Sequence, residues 1–225
     1  MFVDLKDAVH KLSDARSLSP LRINTAWLLI IVTFCVFGCS VSKGPLRKQI
    51  KLLQRGVIKD DSSYVYALPF YSNKTHLLVQ GYFGKFSHKE RAALDFKMKQ
   101  GTKVLAARDG VVIRVKEDGD KGGLKKAYRQ FGNNIVIQHI DGSRSGYWHL
   151  QKDGALVNVG DTVRKGQVIG LSGNTGYTSG PHLHFIVWRI LDNRKWQQVA
   201  TRFETSKGIK YLRAWKWYRS RSITK

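Results

Sequence analysis

Cysteine and proline are both scarce in this chain of 225 residues, which contains two cysteines and four prolines. Both cysteines, Cys35 and Cys39, lie in one apolar run near the start of the sequence. A disulfide framework in the later part of the chain is therefore excluded, and so is a zinc site there that is built from cysteine thiolates.

Acidic residues are also few, with 16 Asp and Glu against 39 Lys and Arg, a formal net charge of +23. Such a surface attracts polyanions, whether nucleic acid, anionic lipid or acidic polymers of a cell envelope, and the charge alone does not choose among them. Hydrophobic residues make up 42% of the chain, enough for a packed core and against wholesale disorder. The 21 glycines, spaced between short apolar runs, favour a β-rich fold with tight turns.

The longest apolar run, from Ala26 to Cys39, has 14 uncharged residues. As a helix it would extend only ~21 Å, against ~30 Å for the hydrocarbon core of a bilayer. That length suits the apolar region of a signal peptide, and the end of the run resembles a bacterial lipobox, with Cys39 as the lipidated residue. Ser40 would then indicate the outer membrane. The alternatives are an uncleaved, slightly short membrane anchor and a buried helix, and bases on both flanks leave the orientation ambiguous.

The rest of the chain divides into three segments by composition. Residues 40–61 are polar and basic and predict a tether or a short helix, and residues 62–204 alternate short apolar runs with turn signals. Residues 205–225 form a basic, aromatic tail that suits a wall or membrane surface or is simply solvated. Strands are predicted at 111–116, with Val111, Ile113 and Val115 on one face, and at 134–140, 146–150 and 182–188.

A pair of histidines in the last predicted strand is the first candidate for chemistry. His182 and His184 are two residues apart, so in a strand both side chains point to the same face. Asp95 lies between apolar residues, and a partly buried carboxylate needs a cation or strong donors nearby. Two imidazoles and a carboxylate are a common zinc ligand set, although a His-x-His pair alone is more often a chance pair on a β surface.

The surrounding residues resemble the lysostaphin/LytM-type zinc metallopeptidases, which cut peptide stems or cross-links of bacterial cell walls. The resemblance covers roughly residues 62–190 and is most specific in its last block. The matching motifs, in order, are Gln80-Gly81-Tyr82, Phe86-Ser87-His88, Leu94-Asp95-Phe96, Gly101-Thr102-Lys103-Val104, Asn133-Asn134, His149-Leu150, Val159-Gly160-Asp161, Gly173-Asn174-Thr175-Gly176 and Gly180-Pro181-His182-Leu183-His184-Phe185.

The resemblance implies a role for each matching residue. His88, Asp95 and His184 would bind one Zn2+ ion, and His149 and His182 would be the catalytic pair beside it. Six residues separate His88 from Asp95, more than in much of the family, so the alternative for His88 is an exposed loop histidine. For His149 and His182 the alternative is a supporting or core histidine. The remaining histidines, His10, His76 and His139, match no motif and are interpreted as structural or solvated.

The resemblance further implies a mainly β, antiparallel LytM-like domain of the barrel-sandwich hybrid type, preceded by the apolar helix or signal segment. The expected activity is zinc-dependent hydrolysis of peptide bonds in peptidoglycan, in the cell envelope on the periplasmic side. Membrane attachment would run through the Cys39 lipid or the N-terminal helix, and nucleic acid is not expected as a partner. The alternative is an inactive LytM-like module that binds the wall or activates another hydrolase. The oligomeric state is not readable from the sequence.

Overall fold

The computed structural model of the protein describes residues 45–60, 64–190 and 195–221, all within one compact unit, Val41–Lys225. Within the predicted domain, 62–204, it describes every residue except 62–63 and 191–194. The predicted leader, 1–39, with its lipidation candidate Cys39, and the first residues of the predicted tether lie outside the described residues.

Within the described residues, one α-helix precedes the strands. Helix α1, Pro45–Arg55, buries Ile50 in the core and packs Leu53 beside it. Near its end, Gln54 Nε2 donates a hydrogen bond of 2.5 Å to the carbonyl oxygen of Leu212. The predicted tether therefore contains a short amphipathic helix that packs on the domain. Among the described residues, no helix combines the length and apolar character needed to cross a bilayer.

Strands dominate the described chain, as expected from the sequence, and a short 3-10 helix, Lys126–Phe131, lies among them. In chain order the strands are β1 (Val65–Ala67), β2 (Thr75–Gln80), β3 (Ala93–Lys97), β4 (Lys103–Leu105), β5 (Gly110–Lys116), β6 (Gly122–Gly123), β7 (Asn133–Gln138), β8 (Arg144–Ala155), β9 (Thr162–Val163), β10 (Val168–Ser172), β11 (Gly176–Tyr177), β12 (His182–Ile190), β13 (Trp196–Gln198), β14 (Arg202–Thr205), β15 (Gly208–Lys210) and β16 (Lys216–Arg219).

The main sheet has eleven strands, with the central order β16-β2-β3-β12-β8-β7-β5-β9, and its neighbours pair antiparallel. Strands β4, β10 and β13 pair beside this path. A three-stranded sheet, β1-β14-β15, and the pair β6-β11 each contain a parallel contact. The predicted mainly β, antiparallel fold is confirmed.

Strand β12 positions the functional face because its side chains alternate between the core and the opposite face. Leu183 and Phe185 are almost completely buried in the core, whereas His182 and His184 lie on the other face. The register places His184 opposite Asp95 on β3 and opposite Trp148 on β8. Adjacent antiparallel strands thus bring these distant residues side by side.

The prediction that Val111, Ile113 and Val115 share one face does not hold along the whole of β5. Val112 is 1% exposed and belongs to the core, whereas Val111 is 42% exposed. The register of β5 against β7 shifts between Val112 and Arg114, and after this bulge Val115 packs against the core. An extra residue in one strand reverses which side chains face inward, and simple alternation does not foresee it.

Residues 205–221, expected as a tail, contribute to the fold. Strand β16 pairs with β2 at the edge of the main sheet, and Leu212 and Tyr218 belong to the core. The hydroxyl of Tyr218 accepts a hydrogen bond of 2.7 Å from the backbone N–H of Arg213. The sequence analysis did not predict that Leu212 and Tyr218 are buried, because the segment is basic and its apolar residues follow no regular strand or helix period.

Candidate metal centre

Three side chains from separate parts of the chain converge on one point. His184 Nδ1 lies 2.8 Å from Asp95 Oδ1, His88 Nε2 lies 3.2 Å from the same oxygen, and the two ring nitrogens are 3.1 Å apart. Asp95 comes from β3, His184 from β12 and His88 from the loop between β2 and β3. Together they offer three ligand atoms that could hold a metal ion.

The loop that carries His88 folds back on itself. Phe83 N–H donates to the carbonyl of Arg91 at 2.9 Å, and Arg91 N–H donates to the carbonyl of His88 at 3.1 Å. This path absorbs the residues between His88 and Asp95 and buries the His88 side chain completely. The alternative that His88 is an exposed loop histidine is therefore wrong.

Gln80, at the end of β2, holds the carboxylate and the loop together, a role that the sequence analysis missed. Its Nε2 atom donates to Asp95 Oδ2 and to Ser87 Oγ, both at 2.8 Å, and its Oε1 accepts from Ser87 N–H at 3.0 Å. One amide thus orients Asp95 and anchors the residue before His88. A glutamine buried in a strand was the available signal, because a buried amide needs partners.

The donor set fits a small divalent cation. With metal–ligand bonds of ~2.0–2.1 Å, tetrahedral ligands lie about 3.3 Å apart, close to the separations of the three atoms here. His88 Nδ1 faces the carbonyl oxygen of Gly81 at 3.3 Å, which favours a proton on that nitrogen and a lone pair on Nε2. The His88 Nε2 lone pair points toward another ring nitrogen and a carboxylate oxygen, and these electron-rich atoms repel one another. A cation bound by all three would remove that repulsion.

Electrostatics keep the carboxylate in its ligand form. Burial alone would raise the pKa of Asp95, but the adjacent imidazoles of His184 and His88 outweigh it and hold the pKa well below its usual range. Burial lowers the pKa of His184, against the opposing effect of Asp95. An ionised carboxylate beside neutral imidazoles is the protonation state that metal binding requires.

The other two matched histidines lie beside this group. Their ring centroids are 4.6 Å apart, and His182 Nε2 is 3.7 Å from Asp95 Oδ1. His149 Nδ1 lies 2.7 Å from the carbonyl oxygen of Thr175, and His182 Nδ1 lies 2.8 Å from that of Gly180. A carbonyl accepts only, so each Nδ1 carries a proton, and in the neutral form of either ring the lone pair is then on Nε2.

His149 has an unusual backbone and an unusual titration. Its φ of +64° lies in the left-handed region, which non-glycine residues seldom adopt. Non-glycine residues with this strained backbone cluster at functional sites. Burial, followed by the neighbouring charges of His182 and His184, lowers the pKa of His149 to about 3. The ring is therefore neutral near pH 7.

The two described histidines that match no motif, His76 and His139, lie outside this group. His139 is buried, with Nδ1 2.7 Å from the carbonyl oxygen of Asp109 and Nε2 3.0 Å from Ser145 Oγ. His76 Nδ1 lies 3.0 Å from the carbonyl oxygen of Lys97. Both contacts are those of structural histidines, and His10 lies outside the described residues.

The group opens into a cleft of about 950 Å³, called here the metal-site cleft. Its lining includes the aromatic residues Phe86, Trp148, Tyr177, Trp188 and Trp215. Two arginines, Arg91 and Arg129, also line it, and Asp95 is the one carboxylate among its described lining residues. The cleft is thus aromatic and cationic around the three ligand atoms.

Trp148 and Trp188 form one wall next to His184. Their ring centroids are 5.3 Å apart, and Trp148 meets His184 edge-on at 6.3 Å. The Trp148 ring lies over Gly146, where an added Cβ would come 1.9 Å from Cζ3. A glycine near the start of β8 is therefore required by the ring that covers it.

Comparison with known proteins matches the segment that contains most of this site to a family. Residues 89–199, which include Asp95, His149, His182 and His184, match peptidase family M23, and His88 immediately precedes the match. An uncharacterized metalloprotease of Buchnera aphidicola is 44% identical over 95 residues, which are 42% of this chain and 22% of that protein. The peptidoglycan DD-endopeptidase ShyA of Vibrio cholerae is 43% identical over 91 residues, 40% of this chain and 18% of that protein.

A solved structure, the catalytic domain of lysostaphin from Staphylococcus simulans, is 31% identical, with a TM-score of 0.40 over 56% of this chain and 87% of that chain. The chain spans about a fifth of the length of the two curated relatives named above. The family resemblance expected from the sequence motifs is confirmed. This chain therefore contains a domain of peptidase family M23.

Proposed function

We propose that this chain is a zinc-dependent endopeptidase that hydrolyses peptide bonds in the stems or cross-links of peptidoglycan. The observation that carries the proposal is the convergence of His88 Nε2, Asp95 Oδ1 and His184 Nδ1 at the wall of an open cleft, with two further imidazoles beside them. Two imidazoles and a carboxylate leave a tetrahedral zinc ion one free position, as catalytic zinc sites do.

His88, Asp95 and His184 would hold the zinc ion, which when bound supplies a Lewis acid for the scissile carbonyl. The proton transfers then belong to His149 and His182, whose Nε2 lone pairs are free of the backbone contacts made by Nδ1. One ring accepts the proton of the attacking water, and a proton passes to the leaving amine as the C–N bond breaks. The other ring, protonated at Nε2, donates a hydrogen bond to the developing oxyanion.

The charge of the metal-site cleft supports an acidic peptide as substrate. Arg91 and Arg129 line it, and Asp95, the one carboxylate among its described lining residues, is engaged with His184 and His88. Cationic clefts concentrate anionic ligands and discriminate against cationic ones. The relative named above as a peptidoglycan DD-endopeptidase supports a cell-wall peptide as this ligand.

We also propose that the protein acts at the cell envelope, on the periplasmic side, attached to a membrane through the Cys39 lipid or an uncleaved N-terminal helix. The apolar run that ends at Cys39 supports this location. Radiolabelled palmitate should enter the wild-type protein and not a Cys39→Ala variant. Equal membrane association of both without labelling would favour the uncleaved anchor.

Digestion of purified peptidoglycan tests the activity. The purified chain, loaded with zinc, should release soluble peptides whose masses identify the bond that is cut. Asp95→Asn should release none, whereas Asp118→Asn, the same change on a carboxylate that is 81% exposed, should match the wild type. Zinc binding without release from any wall type would instead support the inactive, wall-binding module.

A further inference from the structure

Trp215 combines two properties that rarely occur together. Its side chain is 66% exposed, and its φ of +62° places the backbone in the left-handed region. A bulky residue in this conformation is strained, and because the indole is exposed, its burial stabilises the fold too little to offset that strain. Such strain at a residue that faces a cleft points to a functional role.

The turn that contains Trp215 is held from several sides. Trp215 N–H donates to the carbonyl of Leu78 on β2 at 2.7 Å, and Arg213 N–H donates to Tyr218 Oη at 2.7 Å. Ala214 lies against Gly81, where an added Cβ would come 3.3 Å from the Ala214 nitrogen. Backbone contacts, rather than burial of the indole, therefore position this side chain.

The position of the turn relates it to the metal centre. Trp215 lines the metal-site cleft together with His182 and His184. Gly81, against which the turn packs, presents its carbonyl to His88 Nδ1. Phe86 and Leu124 line the same cleft and are also largely exposed, so apolar surface is available to a ligand beside the metal group.

Trp217 provides an internal comparison. It is also 66% exposed and lies two residues further along, in strand β16. Its backbone is not among the described positive-φ residues, and it is not among the residues that line the cleft. The two tryptophans therefore share exposure, residue type and segment, and differ in whether they face the cleft.

We propose that Trp215 is a substrate-binding residue that packs on the aliphatic part of the peptide in the cleft, a proposal that rests on the proposed function. The residue lies outside the segment that matches peptidase family M23, so this chain's C-terminal segment supplies its own wall to the cleft. The indole offers a large apolar face at little cost in conformational entropy. Trp215 thereby contributes to the choice of peptide without taking part in proton transfer.

Binding and hydrolysis of soluble cross-linked peptides, released from peptidoglycan and purified, test this role. Asn tolerates the left-handed conformation, so Trp215→Asn removes the ring without adding backbone strain. We expect it to weaken binding and raise KM about tenfold, with kcat, zinc content and Tm close to wild type. Trp217→Asn should leave Kd, KM and kcat unchanged. Quenching of tryptophan fluorescence by the peptides should be smaller in Trp215→Asn than in Trp217→Asn.

Each other outcome contradicts the proposal. Unchanged Kd and KM in Trp215→Asn would exclude a substrate contact, and equal losses in both variants would assign the tryptophans to a general surface effect. A fall in kcat or in zinc content with KM unchanged would make Trp215 a support for the His88 loop instead. If the wild type binds these peptides without cutting them, the activity proposal fails and the binding comparison still decides on Trp215. If it neither binds nor cuts them, both proposals fail.

Discussion

His184 Nδ1 lies 2.8 Å from Asp95 Oδ1, although 89 positions separate the two residues in the sequence. Direct pairing of β12 with β3 creates this contact, since His184 and Asp95 are register partners. Two ligand candidates thus sit on paired strands inside the main sheet, and the third, His88, arrives on a loop. Rigid placement of donor atoms lowers the cost of organising a metal site.

Replacing His184 with Ala should abolish both zinc binding and hydrolysis. The change removes one of the three proposed ligand atoms and leaves the buried negative charge of Asp95 with His88 and Gln80 as its nearest partners. Zinc content after dialysis, measured by mass spectrometry of the metal, gives the first readout, and peptide release gives the second. His76→Ala, a change at a histidine outside the group, should retain zinc; full zinc occupancy in His184→Ala would remove that residue from the ligand set.

His149→Ala should separate catalysis from metal binding. His149 contributes a ring beside the three ligand atoms and is not one of them, so zinc should remain at one equivalent. Loss of a proton-transfer group typically lowers a rate by about 10²–10⁴-fold, and kcat should fall within that range. Loss of zinc from this variant would instead make His149 a ligand.

Gln80→Ala should weaken zinc binding without eliminating it. The variant loses the hydrogen bonds to Asp95 Oδ2 and Ser87, so the carboxylate and the His88 loop gain freedom that metal binding must then remove. Groups that orient metal ligands typically contribute about 10–100-fold to affinity. Competition with a chromophoric chelator measures the change, with the exposed Gln130→Ala as the control. Equal affinities would show that Asp95 needs no such support.

The Arg108–Asp141 contact should stabilise the fold above about pH 4 and stop doing so in strong acid. Burial alone would raise the pKa of Asp141, but hydrogen bonds from Ser143 and Arg108 lower it to about 2. A carboxyl whose pKa is lower in the folded state binds protons more weakly there than in the unfolded state. Its contribution to the free energy of unfolding is therefore present above the pKa of the unfolded state and is lost as pH falls toward 2. The carboxylate is partly exposed, so the contribution is at most ~1 kcal/mol.

Thermal unfolding of the wild type and of Asp141→Asn between pH 2 and pH 6 measures this effect. The wild type should have the higher Tm at pH 6, and the difference should shrink as pH approaches 2. The other carboxylates titrate in both proteins and cancel in the comparison. A difference in Tm that is constant across this range would show that the carboxylate charge is not its source.

Gly146→Ala should destabilise the domain because the new methyl group would overlap the Trp148 ring. The ring must then leave its place beside Trp188 and His184, so Tm and hydrolysis should both fall. Replacing Trp148 with Ala in the same chain removes the two closest overlaps, at 1.9 Å and 2.6 Å, and leaves one with Trp188 Cζ3 at 2.8 Å. The double variant should therefore be more stable than the sum of the two single losses predicts, and simple additivity would contradict the contact.

Part of the site could be predicted from the sequence because its signals are local. The alternation of His182 and His184 in a strand follows from backbone geometry, and the ordered motifs carry the family resemblance that peptidase family M23 confirms. The single face predicted for Val111, Ile113 and Val115 was wrong, since a bulge in β5 changes which side chains point into the core and has no distinct local signal. The contribution of Leu212 and Tyr218 to the core was not predicted, because the basic residues around them indicated an exposed segment.

By itself the sequence determined the residue types available for chemistry, the exclusion of a cysteine-based metal site and the mainly β fold. The tertiary structure alone decided that the His88 loop closes onto Asp95, that Gln80 holds both, and that the segment around Trp215 forms a wall of the cleft. The physical reason is the separation along the chain of the residues that interact. Strand periodicity depends on neighbouring residues, whereas loop closure and edge pairing depend on contacts between residues far apart in the chain, whose energies appear only once the whole sheet is assembled.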